Sequence, residues 1–256
     1  MKLKVVSYNI CHGLGIDGRQ DLERTTDVLR NSGADVIGLQ EVDKYYGERS
    51  GWQDQTALLA RSLGMHAAYG PNLDMDPQPG SGGHRRQYGI AILSRYPIVS
   101  SRNHVLPRID TPGGWNEPRG LLEAHLQVGS ETVRVLNTHL GLSKQERTAQ
   151  ALRLVEVYLA DGPERCIVTG DFNALPNSPE LAPLLAVLRD TYASVHGGRH
   201  DPTFLSAAGG APVAVKCIDY IWCSPDLVPV DAAVTASLAS DHLPLAASVI
   251  IGGPAH

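Results

Sequence analysis

Short apolar runs recur along the chain, and each is bounded by polar stretches that contain Gly, Pro, Asn or Asp. The runs have the length of strands and are rich in β-branched residues, which favours strands over buried helices. Eight strands are predicted, over residues 3–8, 36–39, 89–93, 121–128, 133–137, 166–169, 218–222 and 245–251. The Gly129-Ser130-Glu131 segment between two of them is typical of a hairpin turn.

Apolar residues recur at helical spacing in three segments, over residues 21–30, 53–63 and 143–159. The third begins with Ser143 and has Glu146 three residues later, which is the pattern of an N-terminal capping box. A fourth helix is predicted over residues 179–188, because proline is favoured at the start of a helix. This mixture of strands and helices predicts two mixed sheets packed together with helices outside them.

Three Gly- and Pro-rich segments are predicted to be loops, over residues 71–87, 107–118 and 195–212. They are longer than typical connections, and long loops in a compact domain are often functional. Strand patterns resume directly on both sides of each segment, so none of them is typical of an interdomain linker. We therefore expect a single domain over residues 1–256.

The composition is that of a globular protein rather than a disordered chain, with 43% hydrophobic and 19% charged residues. The formal net charge of −5 over 256 residues counts against a dedicated nucleic-acid binder, whose surface is normally basic. The four cysteines lack C-x-x-C spacing, which favours free thiols. The chain enters a strand at once, and no apolar run reaches the ~18 residues of a membrane span. We therefore expect a cytoplasmic monomer without a signal peptide or transmembrane segment.

Polar and ionisable side chains follow most of the predicted strands. Active sites are commonly built at the carboxyl ends of strands, from side chains that a rigid sheet holds in place. Asn9, Glu41, His139, Asp171 and Asn173 end or follow predicted strands. Asp219 lies within a predicted strand, and Asp241 and His242 precede the last one.

Each of these residues, taken alone, also has an ordinary structural explanation. Glu41 could be a solvated loop carboxylate, Asp171 could form an Asx turn, and Asp241 could cap a turn. A single histidine such as His139 is by default an interior side chain with satisfied hydrogen bonds. Asp219 lies inside an apolar run, and a buried carboxylate needs a partner. The repetition of the same placement favours one common site.

The residue types also form a coherent chemical set. An oxygen-rich shell is predicted from Glu41, Asp171, Asp241, Asn9 and Asn173. Hard oxygen ligands suit Mg²⁺, Mn²⁺ or Ca²⁺ rather than a structural zinc ion. Two histidines beside such a shell can transfer protons near neutral pH, and Asp219 can orient one of them. The set predicts metal-dependent hydrolysis of a phosphate ester.

The ordered motifs SYNI, LQEVD, YGIAILSRYPI, EPRG, NTHLG, GDFNALP, CIDYIW and SDHLPL resemble the endonuclease/exonuclease/phosphatase superfamily, in particular its compact bacterial members. The resemblance runs from about Val5 to Val249 in the family's order, and GDFN, SDH and NTH are specific when they occur together. It implies a four-layer αββα sandwich, a divalent-metal site and in-line attack of water on phosphorus. The superfamily includes pancreatic-type deoxyribonuclease, abasic-site endonucleases, neutral sphingomyelinases and inositol polyphosphate 5-phosphatases.

The resemblance implies a metal-binding group and a water-orienting group. Glu41 is similar to the main Mg²⁺ ligand, and Asn9 and Asp241 would lie close to the metal. Asp171 and Asn173 would orient the attacking water and bind a phosphate oxygen.

The resemblance also implies proton-transfer and phosphate-binding residues. His242, held by Asp219, would be the general base, and His139 would donate to a phosphate oxygen or protonate the leaving group. Arg119 in EPRG and Thr203 in DPTFLS are similar to residues that contact the phosphate. A surface position is the alternative for Arg119.

One position departs from the pattern of the nucleases in this family. Some of them carry an aromatic hydroxyl just before the G-x-x-x-L-S strand. In this chain Gln87 and Tyr88 precede Gly89, and spacing does not decide which of the two faces the site.

The predicted substrate is a small or medium-sized phosphate ester, most simply a phosphodiester. A DNA or RNA nuclease is the alternative, although the positive charge of the long loops is confined to residues 84–86 and Arg108, which could be solvated loop tips. A sphingomyelinase-like enzyme would expose apolar residues, for which Trp52 and Trp115 are isolated candidates. A non-catalytic binding module is disfavoured, because a binder does not need two histidines with carboxylate partners.

Overall fold

The computed structural model describes residues 1–109 and 116–252. The strands in these ranges are, in chain order, β1 (Lys2–Asn9), β2 (Val36–Lys44), β3 (His66–Met75), β4 (Arg86–Ser94), β5 (Ile98–Val105), β6 (Gly120–Val128), β7 (Glu131–His139), β8 (Cys166–Asp171), β9 (Arg189–Asp190), β10 (Phe204–Ser206), β11 (Val213–Lys216), β12 (Asp219–Cys223), β13 (Leu227–Val234) and β14 (Leu245–Ile251). The helices are α1 (Leu22–Ser32), α2 (Gln55–Leu63), α3 (Lys144–Ala160), α4 (Ala182–Leu185) and α5 (Thr191–Val195).

Twelve of these strands form two six-stranded mixed sheets. The first sheet has the order β13–β14–β1–β2–β4–β3, and the second has the order β5–β6–β7–β8–β12–β9. β1 and β2 are parallel in the first sheet, and β7 and β8 are parallel in the second, whereas the other neighbours are antiparallel. β10 and β11 form a separate two-stranded hairpin.

The sheets pack face to face with helices on both outer sides. Successive strand residues point to opposite faces, so that Val5 and Val135 enter the core between the sheets while Leu136 points to the outer side of its sheet. α1 and α2 cover the first sheet, and Leu29 packs into that outer core. α3 covers the second sheet, where Leu154 is fully buried. The predicted four-layer αββα sandwich is confirmed.

A polar seam joins the two sheets near their centre. Gln40 Nε2 donates to Asn137 Oδ1 at 2.7 Å, and Asn137 Nδ2 donates to Leu39 O at 2.8 Å. Thr169 Oγ1 also donates to Asn137 Oδ1, at 3.0 Å. Gly38 makes this approach possible, because a Cβ there would lie 2.0 Å from Thr169 Oγ1. The hydrogen bonds of this seam hold the first sheet against the second.

The predicted strands and the first three predicted helices are present. The turn at Gly129 and Ser130 joins β6 to β7, and Gly129 has a positive φ of 64°. Ser143 Oγ caps α3 by accepting from Glu146 N at 3.2 Å. The second half of the capping box is absent, because the Glu146 carboxylate accepts from Asn116 Nδ2 at 2.9 Å instead.

Three long strands were not predicted from the sequence, and all three lie at sheet edges. β3 and β13 are the edges of the first sheet, and β5 is an edge of the second. An edge strand exposes one side to solvent and tolerates proline, so its apolar pattern is weak. Pro71 in β3 and Pro229 in β13 show this tolerance.

The helix predicted over residues 179–188 is present only in part. This segment is a 3₁₀ turn over Pro179–Leu181 followed by the single-turn α4. Pro183 lies in the first turn of α4, where proline is tolerated. Two predicted loops are also shorter than expected, because β3 extends to Met75 and β10 lies within residues 195–212.

Part of the predicted loop over residues 107–118, including Trp115, lies outside the described residues. The four cysteines are free thiols, as predicted. Cys166 and Cys223 are buried, and Cys11 and Cys217 are partly exposed. No helix in the described part of the chain combines the length and the apolar character needed to cross a lipid bilayer.

Candidate active site

The candidate site lies where the parallel strands of both sheets end. β1 and β2 end side by side, with Asn9 opposite Gln40, and β7 and β8 end with His139 opposite Asp171. Because the sheets face each other, Asn9 Nδ2 of the first sheet donates to Asp171 Oδ2 of the second at 3.1 Å. The polar ends of the two sheets therefore share one cleft.

Asn9 joins three parts of this cleft. Its Nδ2 also donates to Glu41 Oε1 at 3.0 Å, while its Oδ1 accepts from Cys11 N at 3.0 Å. The amide is fully buried, and these partners fix its orientation. The side-chain nitrogen of Asn9 donates to both carboxylates, and its oxygen accepts from the backbone. Asn9 is therefore placed to orient Glu41 and Asp171.

Two site residues have left-handed backbone conformations. Glu41 has φ of 58° where β2 shifts register against β4, and Asn173 has φ of 50° in the turn after β8. Non-glycine residues in this region are strained, and such strain is found where a side chain must be aimed in a particular direction. The bulge turns Glu41 toward Asn9.

A buried carboxylate–imidazole pair forms one wall of the cleft. His242 Nδ1 lies 2.8 Å from Asp219 Oδ2, and Thr203 Oγ1 donates to the same oxygen at 2.6 Å. Thr203 is 1% exposed and also accepts from Ile218 N and Asp219 N, both at 3.2 Å. Its hydroxyl is therefore directed at Asp219, and not at the open cleft where a phosphate group would lie.

The second histidine lies against the turn after β8. His139 Nε2 is 3.1 Å from Asn173 Nδ2, which also donates to Leu140 O at 3.0 Å. Asn173 N donates to Asp171 Oδ1 at 2.9 Å, so Asp171 does form an Asx turn in addition to facing the cleft. His139 Nε2 and His242 Nε2 lie 3.4 and 3.6 Å from Asp171 Oδ2. Asp171 is thus the centre of the cluster.

The two histidines experience opposite electrostatic environments. Burial alone would lower the pKa of His242, but the carboxylates of Asp219 and Asp171 outweigh it and raise that pKa. Burial, followed by the positive charge of Arg119, holds the pKa of His139 well below its usual range. Burial and the nearby Asp219 raise the pKa of Asp171. One histidine is therefore stabilised as the charged form and the other as the neutral form, an arrangement typical of acid–base sites.

Arg119 is a buried cation beside the cleft. It is 7% exposed, its Nη1 donates to Glu117 Oε1 at 2.7 Å, and its Nε has no hydrogen-bond partner among the described residues. The alternative of a surface position for Arg119 is thus excluded. Tyr88 is also buried, whereas Gln87 is partly exposed, and burial followed by the charges of Glu41 and Glu117 raises the pKa of Tyr88.

Asp241 lies at the outer edge of the same cleft. Its Oδ1 accepts from Ser240 Oγ at 3.2 Å. Burial, then Glu41 and then Asp241 raise the pKa of Cys11 to about 12. Ser240, which precedes Asp241 in SDHLPL, was not predicted to belong to the site. Its Oγ donates to Asn9 O at 2.8 Å and ties the His242 loop to β1.

The sequence model of the Endonuclease/Exonuclease/phosphatase family matches residues 6–242, which span every element of this site. The chain belongs to this family. Members of the family are phosphoric ester hydrolases, and they typically use divalent metal ions.

Solved structures of the family have the same fold. An endonuclease/exonuclease/phosphatase from Beutenbergia cavernae is 27% identical, with a TM-score of 0.79 over 98% of this chain and 72% of that one. The human Nocturnin catalytic domain is 21% identical, with a TM-score of 0.70 and 98% and 94% of the two chains covered. A mannosyl-6-phosphatase from Bacteroides thetaiotaomicron is 20% identical, with a TM-score of 0.67 and 97% and 99% covered.

One curated relative matches part of the chain. Protein cwh43 of Schizosaccharomyces pombe is 33% identical over 151 residues, which are 57% of this chain. The match spans 14% of the length of that protein.

The donor set of this endonuclease/exonuclease/phosphatase-family chain fits a hard divalent cation. Among the described residues only Asn9 donates to Glu41, at Oε1, so the second oxygen of this partly exposed carboxylate is available to a cation. The tightest group of possible ligand atoms in the cleft is Asp171, Asp219 and His242, within 4.8 Å of one another. In that group His242 already contacts both carboxylates, whereas Glu41 has an available oxygen. Glu41 is therefore the more suitable primary ligand.

Proposed function

We propose that this chain is a Mg²⁺- or Mn²⁺-dependent hydrolase of phosphodiesters, which cleaves by in-line attack of an activated water molecule. The observation that supports this most is the buried Asp219–His242 pair directed at Asp171, in a cleft that also holds Glu41. Such a pair provides a base whose orientation is fixed by the bond that its other ring nitrogen makes.

The neighbouring carboxylates raise the pKa of His242, and a cation held beside them would offset part of their charge and favour the neutral ring. In that neutral form His242 would accept the proton of the attacking water at Nε2. Its Nδ1 is held by Asp219, so the imidazolium that forms is stabilised by an adjacent negative charge. Asp171 Oδ2 lies 3.6 Å from that Nε2 and would hold the water in line with phosphorus. Ser240 fixes the backbone of the base by accepting from His242 N at 3.2 Å.

The other side of the cleft would bind the phosphoryl group. Asn173 donates from Nδ2 beside His139, and a preorganised donor of this kind can stabilise charge that develops on a phosphoryl oxygen. Arg119 would contribute positive charge to the same side, where its buried Nε has no hydrogen-bond partner among the described residues. His139, kept neutral by burial and by Arg119, would carry a proton on one ring nitrogen toward the phosphoryl or leaving-group oxygen.

Glu41, oriented by Asn9 and accompanied by Asp241, would hold the divalent cation. When bound, the cation supplies a Lewis acid for a phosphoryl oxygen and offsets the negative charge of the cleft. Asn9 would keep the Glu41 carboxylate and Asp171 at a fixed separation, so that cation and attacking water occupy neighbouring positions.

The pairing of arginine side chains in the loop that carries residues 84–86 argues against a nucleic-acid substrate. Arg85 is paired with Asp74 at 2.6 Å and with Asp76 at 2.8 Å, and Arg86 donates to Asp76 O at 3.0 Å. Arg85 is therefore paired within the loop itself, whereas Arg86 donates to a backbone carbonyl and keeps its charge. Trp52 packs beneath Gly80 of the same loop and supports it.

The experiment that tests the proposal is hydrolysis of bis-p-nitrophenyl phosphate with Mg²⁺ or Mn²⁺. We expect turnover that EDTA abolishes and added metal restores. Glu41→Gln should weaken Mn²⁺ binding in calorimetry by at least tenfold, by analogy with the cost of disturbing a metal ligand. Glu48→Gln is the matched control, because Glu48 is an exposed carboxylate on the adjacent loop.

Metal-independent turnover, or equal Mn²⁺ affinity of the wild type and Glu41→Gln, would contradict the proposal. A panel of plasmid DNA, RNA, sphingomyelin, inositol phosphates and sugar phosphates then separates the substrate classes. A nuclease would show cleavage of plasmid DNA or RNA with strong salt dependence.

A further inference from the structure

Glu117 is the counter-ion of Arg119. Its Oε1 accepts from Arg119 Nη1 at 2.7 Å, and the side chains of Glu117 and Arg119 are 23% and 6% exposed. A buried guanidinium needs a partner that offsets its charge and the cost of its desolvation. Because Glu117 is that partner, Arg119 does not reach the cleft as an unpaired positive charge.

The backbone places this ion pair beside the phosphate-binding side of the cleft. Arg119 directly precedes Gly120, and His139 directly follows Thr138. β6 and β7 are paired at this end, where Thr138 Oγ1 donates to Gly120 O at 2.9 Å. Leu106 N donates to Arg119 O at 3.0 Å and holds the same backbone from β5. The Glu117–Arg119 pair therefore has a fixed position relative to His139.

The phosphate-binding side consequently offers hydrogen-bond donors without an excess of positive charge. The side chain of Asn173 is uncharged, and burial followed by the charge of Arg119 lowers the pKa of His139, which keeps its ring neutral. The charge of Arg119 is balanced by Glu117 at contact distance. A phosphoryl group on this side thus meets dipoles and a paired cation.

We propose that Glu117 makes the cleft selective for phosphodiesters over phosphomonoesters. The inference rests on the proposed hydrolase function and names the residue that sets its substrate class. A diester carries a single negative charge, whereas a monoester carries about −1.5 to −2 near neutral pH. The additional charge of a monoester would face the carboxylates of Glu117, Glu41 and Asp171, and such like-charge repulsion is a common basis of selectivity.

A purely structural ion pair is the alternative, in which Glu117 only satisfies the buried Arg119. Glu117→Gln separates the two roles, because the amide oxygen can still accept from Arg119 Nη1 while the negative charge is removed. A structural role predicts that the affinities for a monoanion and a dianion change by the same factor. Selectivity through charge predicts a larger gain for the dianion.

The experiment is calorimetric titration of the full chain with inorganic phosphate and with dimethyl phosphate, in the presence of Mg²⁺. At about pH 8 inorganic phosphate is mainly a dianion, and dimethyl phosphate is a monoanion. The ratio of the two affinities should shift toward inorganic phosphate at least about tenfold in Glu117→Gln. The value of kcat/KM for p-nitrophenyl phosphate should rise in the same direction relative to bis-p-nitrophenyl phosphate.

The matched control is Glu131→Gln. Glu131 is also paired with an arginine, since its Oε2 lies 3.2 Å from Arg165 Nη1, but it begins β7 at the end opposite His139. Glu117→Ala removes the hydrogen bond together with the charge, and it should shift the affinity ratio by a similar factor. Thermal unfolding checks that each variant is folded.

A shifted ratio in Glu117→Gln and Glu117→Ala, with the wild-type ratio in Glu131→Gln, supports the proposal. An unchanged ratio in Glu117→Gln, an equal shift in Glu131→Gln, or no measurable binding of either anion by Glu117→Gln would overturn it. A wild-type chain that hydrolyses monoesters as fast as diesters would overturn it as well. Absence of hydrolysis of any ester would refute the proposed function, whereas the affinity ratio would still decide the role of Glu117.

Discussion

Replacement of Asp219 by asparagine separates the charge of this residue from its hydrogen bonds. His242 Nδ1 and Thr203 Oγ1 both form hydrogen bonds with Oδ2, whereas Oδ1 has no hydrogen-bond partner among the described residues. An asparagine can therefore place its oxygen at the Oδ2 position and its nitrogen at the Oδ1 position. Both existing hydrogen bonds are retained in that orientation, and the negative charge is lost.

The magnitude follows from the position of that charge. A carboxylate about 4 Å from an imidazolium stabilises it by about 4 kcal/mol at an effective dielectric constant of about 20. Asp171 remains nearby and retains part of the effect, which leaves a loss of about 3–4 kcal/mol. This corresponds to a roughly 10²–10³-fold lower kcat. KM should be unchanged, because Asp219 is 1% exposed and does not face the phosphate-binding side.

The assay is steady-state hydrolysis of bis-p-nitrophenyl phosphate by Asp219→Asn and Thr203→Val, with thermal unfolding of both variants. Thr203→Val keeps the charge and removes one hydrogen bond to it, so its kcat should fall much less. Its stability should fall by about 1.5–3 kcal/mol, the contribution of a hydrogen bond to a charged group. An NMR titration of metal-free Asp219→Asn should show a lower pKa for His242, since Asp219 is the foremost of the groups that raise it.

The reasoning is refuted if Asp219→Asn keeps the wild-type kcat while it remains folded. Equal losses of kcat in the two variants would also contradict it, because the hydrogen bond and not the charge would then carry the effect.

Two further substitutions test the packing that supports the cleft. Arg147→Met should destabilise the protein by about 3–5 kcal/mol in urea unfolding, because it leaves the buried Glu180 without its partners at 2.7 and 3.1 Å. The Arg147→Met/Glu180→Gln double variant should recover part of that loss, and equal stability of Arg147→Met and wild type would refute the assignment. Gly38→Ala should cost about 1–3 kcal/mol through overpacking against Thr169, and Thr169→Ala in the same chain should relieve it. An unfolding midpoint of Gly38→Ala equal to that of the wild type would show that the sheets do not meet as described.

Interior strands were predictable from the sequence, and edge strands were not. β1 and β8 are buried over most of their length, and each contains a run of buried apolar residues, Val5 and Val6 in β1 and Cys166 to Val168 in β8, so the pattern is strong. β5 is exposed over residues 99–102, and its Ser, Arg and Asn residues are as typical of a loop as of a strand. Whether such a segment becomes a strand depends on the neighbour that pairs with it, which is β6.

The candidate residues of the site were predictable because polar side chains stand out at the ends of apolar strands. Asn9, Glu41, His139 and Asp171 were found in this way, and the parallel pairs β1/β2 and β7/β8 bring them to one edge. The partners of these residues were not predictable, since hydrogen bonds between elements far apart in the chain leave no local pattern. Thr203 illustrates this, because its hydroxyl binds Asp219 and not the expected phosphate side.

The sequence by itself determined which residue types the cleft contains and which strands carry them, because burial and chain reversal impose a local pattern of apolar, polar and turn residues. Only the tertiary structure decided how these groups face one another. It directs the nitrogen of Asn9 to two carboxylates and buries Tyr88 rather than Gln87. It also gives the two histidines opposite pKa shifts. These outcomes depend on distances across two packed sheets, and such distances are set by side-chain packing at the seam and not by spacing along the chain.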